Sequence, residues 1–172
     1  MTEPDRTTRE GARRMVAALE AAGVTLAPTV PDTWIGWLME DLRTSRRIRV
    51  VDVAREEEAV AIACGATLVG ARAAVVVQNA GLLNSGSVVA SLIHLYTIPC
   101  FFLLSYRGDE RDPTYYHAPK GRVTESTLAA WGIRYARAER GERITAQIAR
   151  AFDWIDETRL PFALLFSAED LA

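Results

Sequence analysis

Three consecutive glutamates, Glu56, Glu57 and Glu58, lie between Arg55 and Ala59, where an apolar run gives way to an alanine-rich stretch. A carboxylate at a strand-to-helix junction stands at the mouth of an α/β sheet, and ligands bind there, outside the carboxyl ends of the strands. An acid so placed can exchange a proton with a bound molecule. The same residue type also suits the first turn of a helix, facing the positive end of the macrodipole. What sets Glu56 apart is the series of polar segments around it. Val30-Pro31-Asp32 comes before; Gln78-Asn79-Ala80-Gly81-Leu82-Leu83-Asn84, Ser105-Tyr106-Arg107-Gly108 and His117 to Arg122 come after.

Common alternatives for such a set fail on inspection. No phosphate loop ending in Gly-Lys-Ser/Thr and no Gly-x-Gly-x-x-Gly fingerprint is present. The Gly-x-Ser-x-Gly elbow of the α/β hydrolases is missing too. His94 and His117 are the only histidines and neither has a partner at ligand spacing, so no metal is expected on this chain.

The elements that must carry these residues follow from hydrophobic period and punctuation. Helical spacing over 7–22, stopped by Gly23, precedes a strand at 24–30, and Pro31 opens a helix whose Trp34 and Trp37 are read as core. Further strands fall at 48–53, 73–78, 99–105, 133–138 and 161–166. Between them come helices at 56–69, 85–95, 124–131 and 144–158, with a turn at 79–84. His94 reads as a packing residue of its helix. The polar segment 106–122, with Gly108, Pro113, Pro119 and Gly121, is long enough for a functional loop. Strands alternating with helices give a three-layer α/β/α sandwich around a mainly parallel sheet of about six strands. At least the first four polar segments follow strands and therefore converge on one rim.

Composition narrows the function classes. The 172 residues fit one domain spanning 1–172, with 1–8 as a flexible tail. A net charge of -2 leaves no footprint for nucleic acid, and the cluster Arg43, Arg46, Arg47 and Arg49 reads as a solvated helix end. Segment 1–9 lacks the apolar stretch of a secretory signal, and no apolar run nears the roughly 20 residues that span a bilayer. Cys64 and Cys100 sit in apolar contexts, which favours buried reduced thiols and a cytoplasmic location.

Five of the polar segments together resemble the pyrimidine-binding domain of thiamine diphosphate enzymes, most closely that of sulfopyruvate and phosphonopyruvate decarboxylases. The resemblance runs from about Gly23 to Phe166. Thr29-Val30-Pro31-Asp32 matches a Gly-Val-Pro-Asp turn, Arg55 to Ala59 an x-Glu-x-x-Ala motif, and Gln78 to Asn84 a Gln-Asn-Ser-Gly-Leu-Gly-Asn segment. Tyr106-Arg107-Gly108 matches Trp-Arg-Gly, and His117 to Arg122 matches His-x-x-Gln-Gly-Arg. Each motif is weak alone; five in register are a strong signal. Ala80, Leu83, Tyr106 and Lys120 depart from the pattern near its substrate end, so the resemblance bears on fold and cofactor more than on substrate identity.

The resemblance implies that Glu56 hydrogen-bonds N1′ of the cofactor's aminopyrimidine, with Pro31, Asn79, Gly81 and Leu82 also at the cofactor. It implies that Asn79, Arg107, His117 and Lys120 meet a small 2-oxo acid, with His117 also moving a proton. Successive helical residues turn by about 100°, so three glutamates in a row cannot all face one ligand, and the family register selects Glu56. Asn79 could equally cap the following helix, as could Asn84, and Arg122 alone reads as a surface ion pair. The family's diphosphate-binding domain holds its divalent metal with Gly-Asp-Gly and a later asparagine. Here Gly108-Asp109-Glu110 stands alone, with no asparagine after Asn84. The implied assembly is an α subunit that pairs with a β subunit carrying that domain and Mg2+, in an α2β2 or larger complex. The alternatives are a non-catalytic paralogue of this fold or a subunit of a carboligase.

Overall fold

The computed structural model describes residues 6–112 and 114–171. In chain order the elements are α1 (Arg6–Ala21), β1 (Leu26–Thr29), α2 (Gly36–Thr44), β2 (Arg49–Asp52), α3 (Glu56–Leu68), β3 (Ala74–Gln78) and α4 (Asn79–Asn84). After them come α5 (Gly86–Val88), β4 (Phe101–Ser105), α6 (Ala118–Ala130), β5 (Arg134–Arg137), α7 (Arg143–Thr158) and β6 (Phe162–Phe166). The strands form one six-stranded sheet in the order β2-β1-β3-β4-β6-β5, parallel at every pairing.

The central strands are apolar throughout because both of their faces are covered. Ala74, Val76, Phe101, Leu103, Phe162 and Leu164 pack against α1, α2 and α7, where Phe101 and Phe152 bring their ring centroids to 4.7 Å. Their neighbours in the alternation, Val75, Val77, Phe102, Leu104, Ala163 and Leu165, pack against α3, α4 and α6. Burying each such large side chain contributes roughly 1.5–3 kcal/mol. The outer strands β2 and β5 instead end in exposed Arg49, Asp52, Arg134 and Arg137, charges that discourage pairing with another edge.

The order of strands fixes where a ligand can bind. From β1 the chain crosses to β2 on one side through α2, then returns over the other face through α3 to β3 on β1's far side. Neighbouring strands β1 and β3 thus send their following segments to opposite faces. That divergence opens a crevice at the carboxyl rim, the topological switch point of a doubly wound sheet.

Several local expectations change. The tail expected over 1–8 is already helical at Arg6, and residues 1–5 lie outside the described ones. Pro31 does not start a helix: Asp32 accepts the Trp34 N–H and caps a short 3-10 turn, Thr33–Ile35, that leads into α2. Trp34 and Trp37 are half-buried rather than core, each lying under a guanidinium, that of Arg107 at 3.7 Å and that of Arg9 at 4.2 Å. The turn expected at 79–84 is the helix α4, entered directly from β3. The helix expected over 85–95 is only briefly α-helical and continues as a π-helix, Val89–His94, which leaves His94 exposed. Helix α6 begins at Ala118, well ahead of the expected 124, because Pro119 is tolerated in a first helical turn.

Candidate active site at the carboxyl rim

Helix α3 shows how three adjacent glutamates divide their tasks. Glu58 folds back so that one carboxylate oxygen accepts the backbone N–H groups of Ala54 at 3.0 Å and Arg55 at 3.2 Å, satisfying donors the helix start leaves free. Glu57 pairs with the Arg55 guanidinium. Glu56 is half-buried and makes no hydrogen bond or ion pair among the described residues. Its side chain lies over Gly81 of α4, where a Cβ would collide with Cγ, Cδ and Oε1 of the glutamate. Gly81 has no unusual φ; its missing side chain is what admits the carboxylate.

Asn79 begins α4 with no part of it exposed. Its amide nitrogen donates to the Arg107 carbonyl at 3.0 Å and to Thr124 Oγ1 at 2.8 Å, while its Oδ1 accepts the Arg107 N–H at 2.9 Å. Those bonds clamp the end of β3 to the segment after β4 and to α6, so the Asn79 amide is a structural tie with no open face in this chain. Leu82 likewise faces the core, 1% exposed, among Val60, Ala63 and Val77. Pro31 is exposed in the turn after β1.

The segment after β4 holds a histidine–aspartate pair that sequence reading only half found. His117 Nδ1 lies 2.8 Å from Asp112 Oδ2, and the same oxygen accepts the Gly108 N–H at 2.7 Å, while Oδ1 accepts the Thr114 N–H at 2.9 Å. Burial pushes the Asp112 carboxyl up, but the Gly108 and Thr114 backbone donors and His117 outweigh it and hold it at about 2. The Asp112 carboxylate holds the imidazole by its Nδ1 edge, and Nε2 makes no hydrogen bond among the described residues. Asp109, Glu110, Arg111 and Asp112 form an undifferentiated charged run in the sequence, with nothing there to select the one that folds under the imidazole.

Backbone packing fixes this loop. Gly108, at φ +79°, approaches the His117 carbonyl and Gly121 so closely that a Cβ at either glycine would strike the other strand of chain. The Tyr106 hydroxyl donates to the Gly121 carbonyl at 3.1 Å; burial and nearby Glu125 push its pKa up, so it stays a donor. Arg111 forks between Asp109 at 2.8 Å and Asp170 at 2.7 Å, tying the loop to the turn Ala168–Leu171. Lys120 and Arg122 are exposed, and among the described residues neither forms an ion pair, so the surface pair expected for Arg122 is not seen.

Asp112 gives a pH dependence of known sign. Its folded pKa, about 2, lies below the ordinary 3.8, so its contribution is complete above about pH 4 and is lost as pH falls from 4 through 2. Asp112→Asn should therefore destabilise the chain by about 2 kcal/mol at pH 6 and by much less near pH 2.5. Urea unfolding at both values checks this; a difference that stays constant with pH would refute it.

A parallel α/β/α domain with a glutamate at its switch-point rim, seated over a glycine and without a partner among the described residues, presents one carboxylate where ligands bind in sheets of this kind. The chain belongs to the family described as thiamine pyrophosphate enzyme, N-terminal TPP binding domain, whose model matches residues 9–109. The sulfopyruvate decarboxylase subunit alpha of Methanothermobacter thermautotrophicus is 35% identical over 69% of this chain and 72% of its own length. That of Methanocaldococcus jannaschii is 30% identical over 92% and 94%. The fold also superposes on a 2-oxoglutarate:ferredoxin oxidoreductase from Magnetococcus marinus with a TM-score of 0.69, at 14% identity, covering 94% of this chain and 29% of the other. No helix among the described residues is long and apolar enough to cross a membrane, and Cys64 and Cys100 are both buried free thiols.

Proposed function

We propose that this chain is the α subunit of a two-subunit, thiamine diphosphate-dependent 2-oxo acid decarboxylase and contributes Glu56 as the acid that works on the cofactor's aminopyrimidine. The observation that carries the reading is the Glu56 carboxylate, half-buried and unpaired over Gly81 while its two neighbours are engaged elsewhere. A carboxyl seated over Gly81, with no partner among the described residues, suits a heteroaromatic ring nitrogen that can share its proton. Thiamine diphosphate, when bound, supplies the electron sink for carbon–carbon cleavage. Glu56 holds a proton at the pyrimidine ring nitrogen, with Pro31 and Gly81 at the ring's border. His117, oriented by Asp112, moves a proton at the substrate through Nε2, with the Lys120 ammonium nearby on the first turn of α6. Asn79 acts by holding Arg107 and α6 in place.

Mg2+ and the cofactor's diphosphate are assigned to a β subunit with the diphosphate-binding domain, in an α2β2 or larger cytoplasmic assembly. Support comes from the subunit names of the relatives and from Tyr115 and Tyr116, which are 87% and 61% exposed beside His117. Exposed tyrosines of this kind are enriched where partners dock. The test is reconstitution with the candidate β chain, thiamine diphosphate and Mg2+, following carbon dioxide release from 2-oxo acids. Turnover is expected from the mixture and not from either chain alone. Full activity of this chain by itself would overturn the two-subunit reading, and a stable complex inert towards every 2-oxo acid would overturn the decarboxylase.

A further inference from the structure

Among the described residues, Arg107 is the buried cation at the rim. It follows β4, is only 8% exposed, and its backbone N–H and carbonyl are both held by Asn79. Asp32 Oδ1 takes its Nη2 at 2.6 Å, and the Trp34 ring lies 3.7 Å from its Cζ. Asp32 is itself fixed, accepting the Trp34 N–H at 3.0 Å and the Ser105 hydroxyl at 2.8 Å. The guanidinium is thus oriented from one edge and one face. Its Nε is buried with no hydrogen-bond partner, and Nη1 makes no hydrogen bond among the described residues. An Nε with no exposed surface cannot itself meet a ligand, so the donor left for an incoming oxygen is Nη1.

Resting on the decarboxylase reading, we infer that Arg107 is the specificity residue that holds an acidic group on the far end of the 2-oxo acid, with Asp32 and Trp34 as its mount. A planar guanidinium held from one edge, with Nη1 making no hydrogen bond among the described residues, suits the oxygens of a sulfonate, phosphonate or carboxylate. Lys120 and Arg122 offer only solvated charge, which discriminates poorly. Asp32 offsets the guanidinium's charge while sharing its oxygens with the Trp34 N–H and the Ser105 hydroxyl, so recognition rests on the direction of the remaining N–H donors, which Asp32 aims.

The experiment uses the assembled α–β complex with thiamine diphosphate and Mg2+. It measures the ratio of kcat/KM for sulfopyruvate to kcat/KM for pyruvate, which has the same reacting end and no acidic tail. Arg107→Lys and Arg107→Met should each reduce that ratio on the order of 10²-fold, mostly through KM for the tailed substrate. Calorimetric binding of 3-sulfopropanoate, which has the tail but no 2-oxo group, should weaken in parallel. Equal losses for tailed and tail-less substrates, with unchanged 3-sulfopropanoate binding, would reduce Arg107 to a structural tie and overturn the inference. So would a ratio that responds to Lys120→Met and not to Arg107→Lys. Because Arg107→Lys keeps the charge opposite Asp32, it serves where Arg107→Met does not fold. If the wild-type complex decarboxylates nothing, the decarboxylase reading fails, while 3-sulfopropanoate binding still judges Arg107.

Discussion

Glu56→Gln is expected to slow decarboxylation by the assembled complex by about 10²–10⁴-fold, the range typical of a lost general acid–base group. The substitution preserves length and hydrogen-bonding atoms but removes the exchangeable acid, so fold and assembly should persist. Glu57→Gln and Glu58→Gln are the internal controls. Glu57 faces Arg55, and Glu58 caps the helix start, where a glutamine oxygen can still accept the Ala54 and Arg55 N–H groups. Each should stay within a few-fold of the parent rate, with Glu58→Gln losing roughly 0.3–1 kcal/mol of stability through the weaker dipole interaction. Exchange of the C2 proton on cofactor bound to the complex isolates the step. Parent-rate exchange in Glu56→Gln together with slow exchange in Glu57→Gln or Glu58→Gln would show the wrong glutamate has been assigned. Parent-rate exchange in all three would remove the catalytic role altogether.

The division of labour among those glutamates shows where sequence reading stops. Helical geometry says that only one of three can face a ligand, but it does not say which. The choice became physical when Glu58 was seen to curl onto the helix start and Gly81 to lie under Glu56. Strands were legible because β3, β4 and β6 are continuous apolar runs covered on both faces, a pattern with few other uses in a chain of this length. Helix α4 was not legible. Asn79, Gly81 and Asn84 carry turn chemistry, and burial of Leu82 between α3 and the sheet overrides it. Asp112 and the mount of Arg107 were invisible for a different reason. Both depend on contacts far along the chain or within a folded loop, Asp32 with Arg107 and Asp112 under His117, which residue type and spacing do not encode.

Gly81→Ala should separate activity from stability more sharply than any substitution of an acid. The three atoms nearest a methyl group there all belong to the Glu56 side chain, so the flexible glutamate gives way while α4 keeps its path. Alanine in place of a helical glycine restricts the unfolded chain, so thermal stability should hold or rise, by up to about 1 kcal/mol. Turnover should nonetheless fall on the order of 10²-fold, because a displacement of about 1 Å at a reacting group can cost that much. Since both changes act through one carboxylate, Glu56→Gln combined with Gly81→Ala should be little slower than Glu56→Gln alone. Calorimetric unfolding of the four proteins alongside their kcat values in the assembled complex decides the matter. A Gly81→Ala chain that melts early but turns over normally would mean the glycine serves packing. A double variant slower by the product of the single effects would mean that Gly81 and Glu56 act on the reaction separately.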